Sequence, residues 1–218
     1  FGVGRMAEPA AIIAALKQRA GRNAGPLAGK HAIVTSGPTH EPIDPVRFLG
    51  NRSSGKQGHA IAAALVAAGA RVTLVSGPTA LPAPAGAKLV PVTTGKEMLK
   101  AVQEALPADL FVGAAAVADW RPTQVAAQKI KKNPKLDILH LDFIPTDDIL
   151  ASVSLGEQRP ALVVGFAAES EHVTTHAKAK RMAKGADWIL ANDISGDVFG
   201  SNSNEITLIT TEGEENWP

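Results

Sequence analysis

The sequence predicts an α/β fold built on a doubly wound, mainly parallel sheet with one small β excursion. Short apolar runs typical of buried strands alternate with segments of helical periodicity along most of the chain. Strands that alternate with helices imply right-handed crossovers, which place helices on both faces of a parallel sheet. With 218 residues and 45% hydrophobic content, the chain can bury one large domain, or one domain plus a small appendage.

The elements follow one another in a regular order. Residues 8–20 carry apolar side chains at helical spacing, and the Gly- and Pro-rich residues 21–30 predict a linker. The domain proper then starts near Lys30, and HAIVTS at 31–36 is its first buried strand. Beyond it we predict helices at 58–68, 95–105 and 171–184 and strands at 71–77, 88–92, 109–116, 161–167, 187–192 and 205–211.

One segment breaks this alternation. KLDILHLDF at 135–143 alternates two sets of side chains about a strand axis, but no helix adjoins it. We therefore predict a strand in a hairpin-like excursion from the main sheet, as is typical of an interface or a lid. Since such a strand leaves an unpaired edge, we expect a twofold homodimer with residues 129–143 near its axis.

Composition excludes several classes of function. The net charge is +1, from 22 basic and 21 acidic residues, which argues against a general binder of nucleic acid. Without cysteine the chain has no disulfide or thiolate metal site, and a reducing cytoplasm is the expected location. The longest apolar stretch, from Ala60 to Ala70, is far short of the roughly 20 residues that span a bilayer, so we expect no membrane segment.

The longest connection, residues 36–60, lies between the first strand and its helix, where doubly wound sheets bind ligands. Such loops usually take about 2–6 residues, so this length favours a binding role. Free backbone N–H groups at the start of a helix attract an anion, although Ser54 alone is equally consistent with a simple helix cap. The predicted phosphate or carboxylate site comprises Arg47, Asn51, Arg52, Ser53, Ser54, Gly55 and Lys56.

The same loop supports a rival interpretation. Residues 50–56 match the G-x-x-x-x-G-K spacing of a P-loop, but Gln57 stands where Ser or Thr would bind magnesium. The first strand also ends near Ser36, whereas a P-loop follows its strand directly, so a P-loop nucleotidase is the less favoured alternative. A dinucleotide oxidoreductase is disfavoured further, because no G-x-G-x-x-G follows the first strand.

A second candidate site is GAAAVADWR at 113–121. Its small residues either let a base or ribose lie against the backbone or simply allow tight strand–helix packing. Asp119 has the carboxylate that ribose hydroxyls or a metal ion would meet.

Two lysine-rich stretches complete the candidates. QKIKKNPK at 128–135 carries four lysines, which suit either a triphosphate or a solvated hairpin tip. Lys180 and Lys184 share a helix face, close to Phe166 at the end of the preceding predicted strand, where a base would find shelter. The histidines show no metal spacing, so we expect chemistry that depends on positioned charges.

Long, irregular motifs carry a family resemblance. The strings GPTHEPIDPVRFLGNRSSGKQG, TLVSGP, GAAAVADWR, KIKK, VVGFAAES and WILAND occur in this order. On these motifs the chain resembles phosphopantothenate–cysteine ligase from His31 to Thr211, which implies a Rossmann-like fold. The opening GVGRMAEP resembles the end of the flavin-dependent phosphopantothenoylcysteine decarboxylase that bacteria fuse ahead of the ligase. We therefore expect residues 1–30 to be a remnant of that decarboxylase plus a linker, and 31–218 to be a C-terminally truncated ligase domain.

The resemblance also implies a reaction. The family activates 4′-phosphopantothenate with CTP, giving an acyl-cytidylate and pyrophosphate, after which the amine of L-cysteine attacks and CMP leaves. It is dimeric and uses Mg²⁺, while FMN would belong only to the missing decarboxylase half. The residues alone leave two points open, namely CTP against ATP and an enzyme against a non-catalytic nucleotide-binding module.

Site residues follow from the same resemblance. Asn51 and Lys129 correspond to the family's essential asparagine and to the first lysine of its K-x-K-K motif. Asp147 replaces the proline of the family's N-P-D-I-V, a departure within the nucleotide-binding stretch, and Asp119 is the one candidate metal ligand. The implied nucleotide contacts are Gly113, Ala114, Ala115, Asp119, Lys129, Asp148, Ile149, Phe166, Lys180 and Lys184.

Overall fold

A computed structural model describes residues 25–132, 138–193 and 206–217. The helices are α1 (Lys56–Ala67), α2 (Gly95–Ala105), α3 (Ile149–Ser154) and α4 (Val173–Lys184). The strands are β1 (His31–Ser36), β2 (His40–Pro42), β3 (Phe48–Gly50), β4 (Arg71–Ser76), β5 (Lys88–Pro91), β6 (Leu110–Gly113), β7 (Trp120–Pro122), β8 (Phe143–Pro145), β9 (Leu162–Glu169), β10 (Trp188–Asp193), β11 (Ile206–Ile209) and β12 (Glu214–Trp217).

Eight of these strands form one sheet in the order β12-β11-β10-β9-β6-β1-β4-β5. The strands from β10 to β5 are parallel, and β11 and β12 add an antiparallel edge. The chain builds β4 and β5 on one side of β1 and then crosses back to place β6 on the other side. The predicted doubly wound, mainly parallel sheet is therefore confirmed, and its order reverses between β1 and β6.

The core lies on both faces of this sheet because alternate side chains of a buried parallel strand point in opposite directions. Ile33 and Phe111 pack on one face with buried residues of α2, α3 and α4. Val34 and Val72 pack on the other face with Ala62 of α1. Helices α2, α3 and α4 thus cover one face of the sheet, and α1 covers the other.

Most predicted elements are confirmed within a few residues. Helix 95–105 has the predicted bounds because Thr94 caps it, accepting from the N–H of Glu97 while the Glu97 side chain reaches back to the Thr94 N–H. Helix α3 and the β2–β3 hairpin were not predicted from the sequence. The carboxylate of Asp148 accepts the Ala151 N–H at 2.9 Å, an N-cap signal that precedes α3.

The strand predicted at 135–143 is largely wrong. Residues 138–142 form no strand, residues 135–137 lie outside the described residues, and strand structure begins only at Phe143. Strand β8 pairs antiparallel with β7, in a two-stranded sheet separate from the main one. Ile138 and Leu139 are both exposed, because alternation makes a strand only where a neighbouring strand accepts its hydrogen bonds.

The helix predicted at 8–20 also lies outside the described residues. Within the parts of the chain that are described, no helix combines the length and apolar character needed to cross a membrane.

Candidate functional site

The candidate site lies at the carboxyl ends of β1 and β6, where the strand order reverses. Two backbone hydrogen bonds join the segments that leave these strands, from Ala116 N to Gly37 O at 2.9 Å and from Thr39 N to Ala116 O at 3.2 Å. Asn51 adds a third bond, because its Nδ2 donates to the Ala116 carbonyl at 3.1 Å. Asn51 and the 113–121 segment, both predicted for the site, therefore meet at one crevice.

Helix α1 begins at this crevice under tight geometric constraint. Its N-cap, Gly55, has a left-handed backbone with φ of 77°, which favours glycine. A Cβ at Gly58 would lie 2.5 Å from Ser36 Oγ, so glycine allows α1 to approach the end of β1. Ser36 Oγ donates to the Gly55 carbonyl at 2.9 Å, and His59 Nδ1 lies 2.9 Å from the same hydroxyl. The helix start is thus fixed to the strand end.

The serines of the loop do not cap α1 with their side chains. Ser53 Oγ accepts the Gly55 N–H at 3.3 Å, and Ser54 Oγ lies 3.5 Å from Lys56 N, which is a long contact. The interpretation of Ser54 as a simple helix cap is therefore wrong, since Gly55 holds the N-cap position without a side-chain bond. The P-loop alternative also fails on architecture, since Gly50 ends a short strand of a side hairpin while β1 ends at Ser36.

Arg47 contacts the lysine segment 129–132, and both line one open cleft. Its guanidinium pairs with the Asp44 carboxylate at 2.9 Å and also donates to the Ile130 carbonyl. The cleft, of about 570 Å³, is lined by Val46, Arg47, Lys129, Ile130, Lys131 and Lys132. Two positions predicted for different ligands, Arg47 and Lys129, thus share one cavity wall.

Asp44 is the ionised centre of this arrangement. Burial of its carboxyl opposes ionisation most strongly, but N–H bonds from Val46, Ile130 and Arg47, together with the Arg47 charge, hold its pKa at about 2. A buried carboxylate with several backbone donors stays charged at any physiological pH. Asp44 was not predicted as a site residue, although Asp-Pro before a turn is a recognisable signal for side-chain bonds to the backbone.

The 113–121 segment supplies the other wall of the crevice. Gly113, Ala114 and Ala115 are half-buried, while Asp119 is exposed. The Asp119 carbonyl accepts the Thr146 N–H at 2.9 Å, which ties this segment to the turn before α3. In residues 25–132, 138–193 and 206–217, no group of three or more His, Cys, Asp or Glu side chains is placed to hold a metal ion.

The two lysines predicted on the last helix differ in their surroundings. Lys184 forms an ion pair with Asp148, the N-cap of α3. Burial opposes the charge of Asp148, but the Ala151 N–H, the Lys184 hydrogen bond and the nearby Lys180 charge together hold its pKa below the ordinary value. Ile149, the next residue, is buried in the core. Lys180 has no acidic partner within 4 Å among the described residues.

Phe166 and helix α4 pack on opposite faces of the sheet. Strand β9 continues to Glu169, and Phe166 packs against the core cluster on the face of α1, whereas α4 packs on the opposite face. In register, Gly165 pairs with Gly113, so Phe166 is level with Ala114, just beyond the end of β6. Because side chains of one strand alternate between faces, Phe166 points away from α4, and its contact with a nucleotide held by Lys180 and Lys184 stays a prediction.

A family model described as "DNA/pantothenate metabolism flavoprotein C-terminal domain" matches residues 27–218. The chain is similar to the coenzyme A biosynthesis bifunctional protein CoaBC of Vibrio cholerae, at 46% identity over 221 residues, covering 100% of this chain and 55% of the relative. For the protein of the same name from Escherichia coli K12, identity is 42% over 225 residues, covering 100% of this chain and 54% of the relative.

Solved structures agree on the fold. The crystal structure of the C-terminal domain of CoaBC superposes with a TM-score of 0.73 at 38% identity, covering 88% of this chain and 87% of that one. A Cab2 mutant in complex with phosphopantothenate-cysteine superposes with a TM-score of 0.70 at 18% identity, covering 97% and 88%. The chain spans about half the length of the curated relatives it matches. By the extent of the family match and its identity to these relatives, the chain belongs to the family of DNA/pantothenate metabolism flavoprotein C-terminal domains.

Proposed function

We propose that this chain is the ligase part of a coenzyme A biosynthesis enzyme and joins 4′-phosphopantothenate to L-cysteine. CTP is the expected co-substrate, with an acyl-cytidylate intermediate and with CMP and pyrophosphate as products. The similarity to CoaBC supports the pathway. The choice of CTP and the order of steps rest on the resemblance to phosphopantothenate–cysteine ligase.

One observation carries the proposal, namely that Asn51 bonds to the Ala116 carbonyl at the switch point of the sheet. This bond places an uncharged amide between the loop that precedes α1 and the segment that leaves β6. Doubly wound sheets bind nucleotides and phosphorylated ligands at this position. Arg47 of the same loop lines a cleft together with three lysines, and the positive charge of that cleft suits a polyanion such as a triphosphate.

The residues suit the two half-reactions in different ways. Attack of a carboxylate on the α-phosphorus brings anions together, and the Lys129 ammonium offsets that charge as pyrophosphate departs. Asn51 has both a donor and an acceptor, which suits it to orient the acyl group while the amine attacks. Its present donor bond to the Ala116 carbonyl fixes the amide in one orientation, leaving Oδ1 as an acceptor.

Asp119 and the phosphates of a bound triphosphate could together bind a magnesium ion. Mg²⁺ is commonly held by one or two carboxylates together with substrate phosphates. Asp119 presents one exposed carboxylate near the crevice, and the described residues contain no three-ligand cluster. An ion that enters with the triphosphate would take Asp119 as its protein ligand and would neutralise phosphate charge.

Further proposals concern the assembly. We propose that residues 31–218 are the ligase domain and that residues 1–30 belong to a preceding decarboxylase domain and its linker. A fused, FMN-binding decarboxylase half, a homodimer and a cytoplasmic location complete the proposal.

Pyrophosphate release with CTP, 4′-phosphopantothenate, L-cysteine and Mg²⁺, each omitted in turn, tests the reaction. Ligation requires release that depends on CTP and phosphopantothenate, with an amide product only when cysteine is present. Replacing CTP by ATP decides the nucleotide.

The same assay separates the alternatives. Pyrophosphate or phosphate release with nucleotide alone would replace the proposal by a nucleotidase. Nucleotide-dependent thermal stabilisation without any turnover would replace it by a binding module.

A further inference from the structure

We propose that Asp44 is a positioning residue that holds Arg47 and the lysine segment 129–132 against one cleft. Its role in recognising a phosphate-bearing substrate rests on the proposed function, whereas the positioning itself does not. The inference comes from the bonds of a single buried carboxylate in a loop that is otherwise largely exposed.

The Asp44 carboxylate accepts hydrogen bonds from two segments that are distant in sequence. Oδ1 accepts the N–H groups of Val46 and Arg47, each at 2.8 Å. Oδ2 accepts Arg47 Nε at 3.1 Å and the Ile130 N–H at 3.1 Å. The side chain of Asp44 is 0% exposed, whereas that of Arg47 is 44% exposed. Because all four of these donors bond to one buried carboxylate, its position is fixed. Loss of the carboxylate charge would leave donor groups of both segments without an acceptor.

Ile130 is held at both of its backbone groups. Its N–H donates to Asp44, and its carbonyl accepts from the Arg47 guanidinium. One further bond, from Ala126 N to Ile43 O at 3.0 Å, runs between the same two segments. The main chain at Ala126 and Ile130 is therefore what positions Lys129, Lys131 and Lys132, and the lysine side chains take no part in these bonds.

This arrangement leaves the ammonium groups available for a ligand. Among the described residues, Lys129, Lys131 and Lys132 have no acidic partner within 4 Å. Four cations that line one cleft of about 570 Å³ repel one another, and Asp44 supplies the anion that holds Arg47 among them. The shape and charge suit a phosphate-bearing ligand of nucleotide size.

Asp44→Asn tests this role with little change of shape. The amide retains one acceptor oxygen, but its NH₂ must face either the donor pair on Val46 and Arg47 or the pair on Arg47 and Ile130. Asp109→Asn is the matched control, because Asp109 also accepts a backbone N–H, from His31 at 2.8 Å, and a cation, Lys30 at 2.9 Å. Asp109 precedes β6 and so lies at the opposite end of the strands from the cleft.

The first measurement needs no activity. Native-state trypsin digestion followed by mass spectrometry gives the rate of cleavage after Lys129, Lys131 and Lys132. We expect Asp44→Asn to raise these rates roughly fivefold or more, and Asp109→Asn to leave them at the wild-type value. Unchanged cleavage in Asp44→Asn overturns the proposal. An equal rise at Lys96 and Lys100 of α2 also overturns it, because that result indicates general destabilisation.

The second measurement addresses the substrate. We expect Asp44→Asn to raise KM for CTP roughly tenfold and also to lower kcat, because the displaced segment carries both the cations that bind the triphosphate and Lys129, which acts as pyrophosphate departs. A fall in kcat alone overturns the positioning role for the nucleotide. If the wild-type protein shows no turnover, the ligase proposal fails, while the digestion result still decides whether Asp44 positions the lysine segment.

Discussion

Asn51 and Lys129 are the two residues proposed for catalysis, and their different chemistry predicts different defects. Lys129→Gln should form little acyl-cytidylate and little product, because no ammonium offsets the departing pyrophosphate. Asn51→Asp should still consume CTP but accumulate the intermediate, because a carboxylate cannot donate to the Ala116 carbonyl and repels phosphate. Quenched reactions analysed by mass spectrometry measure both species. Accumulation in Lys129→Gln and not in Asn51→Asp would require the two roles to be exchanged.

Lys180 and Lys184 share a helix face but differ in what they stabilise. Both Lys→Gln changes should weaken CTP binding in isothermal titration and leave phosphopantothenate binding largely intact, because α4 packs on the face of the sheet opposite α1, which follows the anion-binding loop. Only Lys184→Gln also removes the ion pair with Asp148, at a cost of about 0.5–1 kcal/mol in unfolding free energy for a partly exposed pair. Equal loss of both ligands in either variant contradicts the assignment.

The lowered pKa of Asp44 predicts a defined acid dependence of stability. Its folded pKa is about 2, below the roughly 3.9 of an unfolded aspartate, so its stabilising effect is complete above about pH 4. The effect is lost as the pH falls from about 4 to about 2. Thermal melts of the wild type and of Asp44→Asn should therefore converge over that window. A stability difference that stays constant down to pH 2 contradicts the ionised assignment.

At the scale of elements, the contact between α1 and β1 makes Gly58 sensitive to one added methyl group. Gly58→Ala would gain roughly 1 kcal/mol of helix propensity in an open helix. Here the new Cβ would meet Ser36 Oγ at 2.5 Å, so we expect a net loss of about 1–3 kcal/mol. Urea unfolding measures the difference.

A matched substitution on the same helix separates propensity from packing. Ala63 is exposed on α1, so Ala63→Gly should cost only about 0.5–1 kcal/mol through propensity. A stabilised Gly58→Ala variant would show that the helix can move away from β1 at no cost.

For the whole molecule, exposed aromatic side chains on β3 and on the two-stranded sheet of β7 and β8 predict self-association. Phe48, Trp120 and Phe143 are 53%, 53% and 38% exposed, although large aromatic side chains are usually buried. A twofold dimer would cover them, and light scattering should then give about twice the 22.6 kDa chain mass.

A paired substitution locates that interface. Phe143→Ser should shift the measured mass towards the monomer, whereas Met182→Ser should not, since Met182 is 76% exposed on the separate helix α4. A wild-type monomer that turns over substrate rules out the dimer as a requirement.

Several elements could be predicted because the signals that specify them are local. The apolar run of β1, the Thr94 capping box of α2 and the glycine that ends α4 each act within a few residues of chain. The order of these elements was sufficient to predict the parallel sheet and the crevice that holds Asn51. Strand 135–143 failed as a prediction because alternation specifies which side chains face together but not whether a neighbouring strand exists.

The contacts that join distant segments at the site could not be predicted from local signals. The face on which Phe166 lies depends on strand register, and the pairing of Lys184 with Asp148 joins elements 36 residues apart. The partnership of Asp44 with Ile130 spans 86 residues. Such contacts depend on chain packing around the whole sheet, because a hydrogen bond between distant segments forms only after the core has fixed both of them.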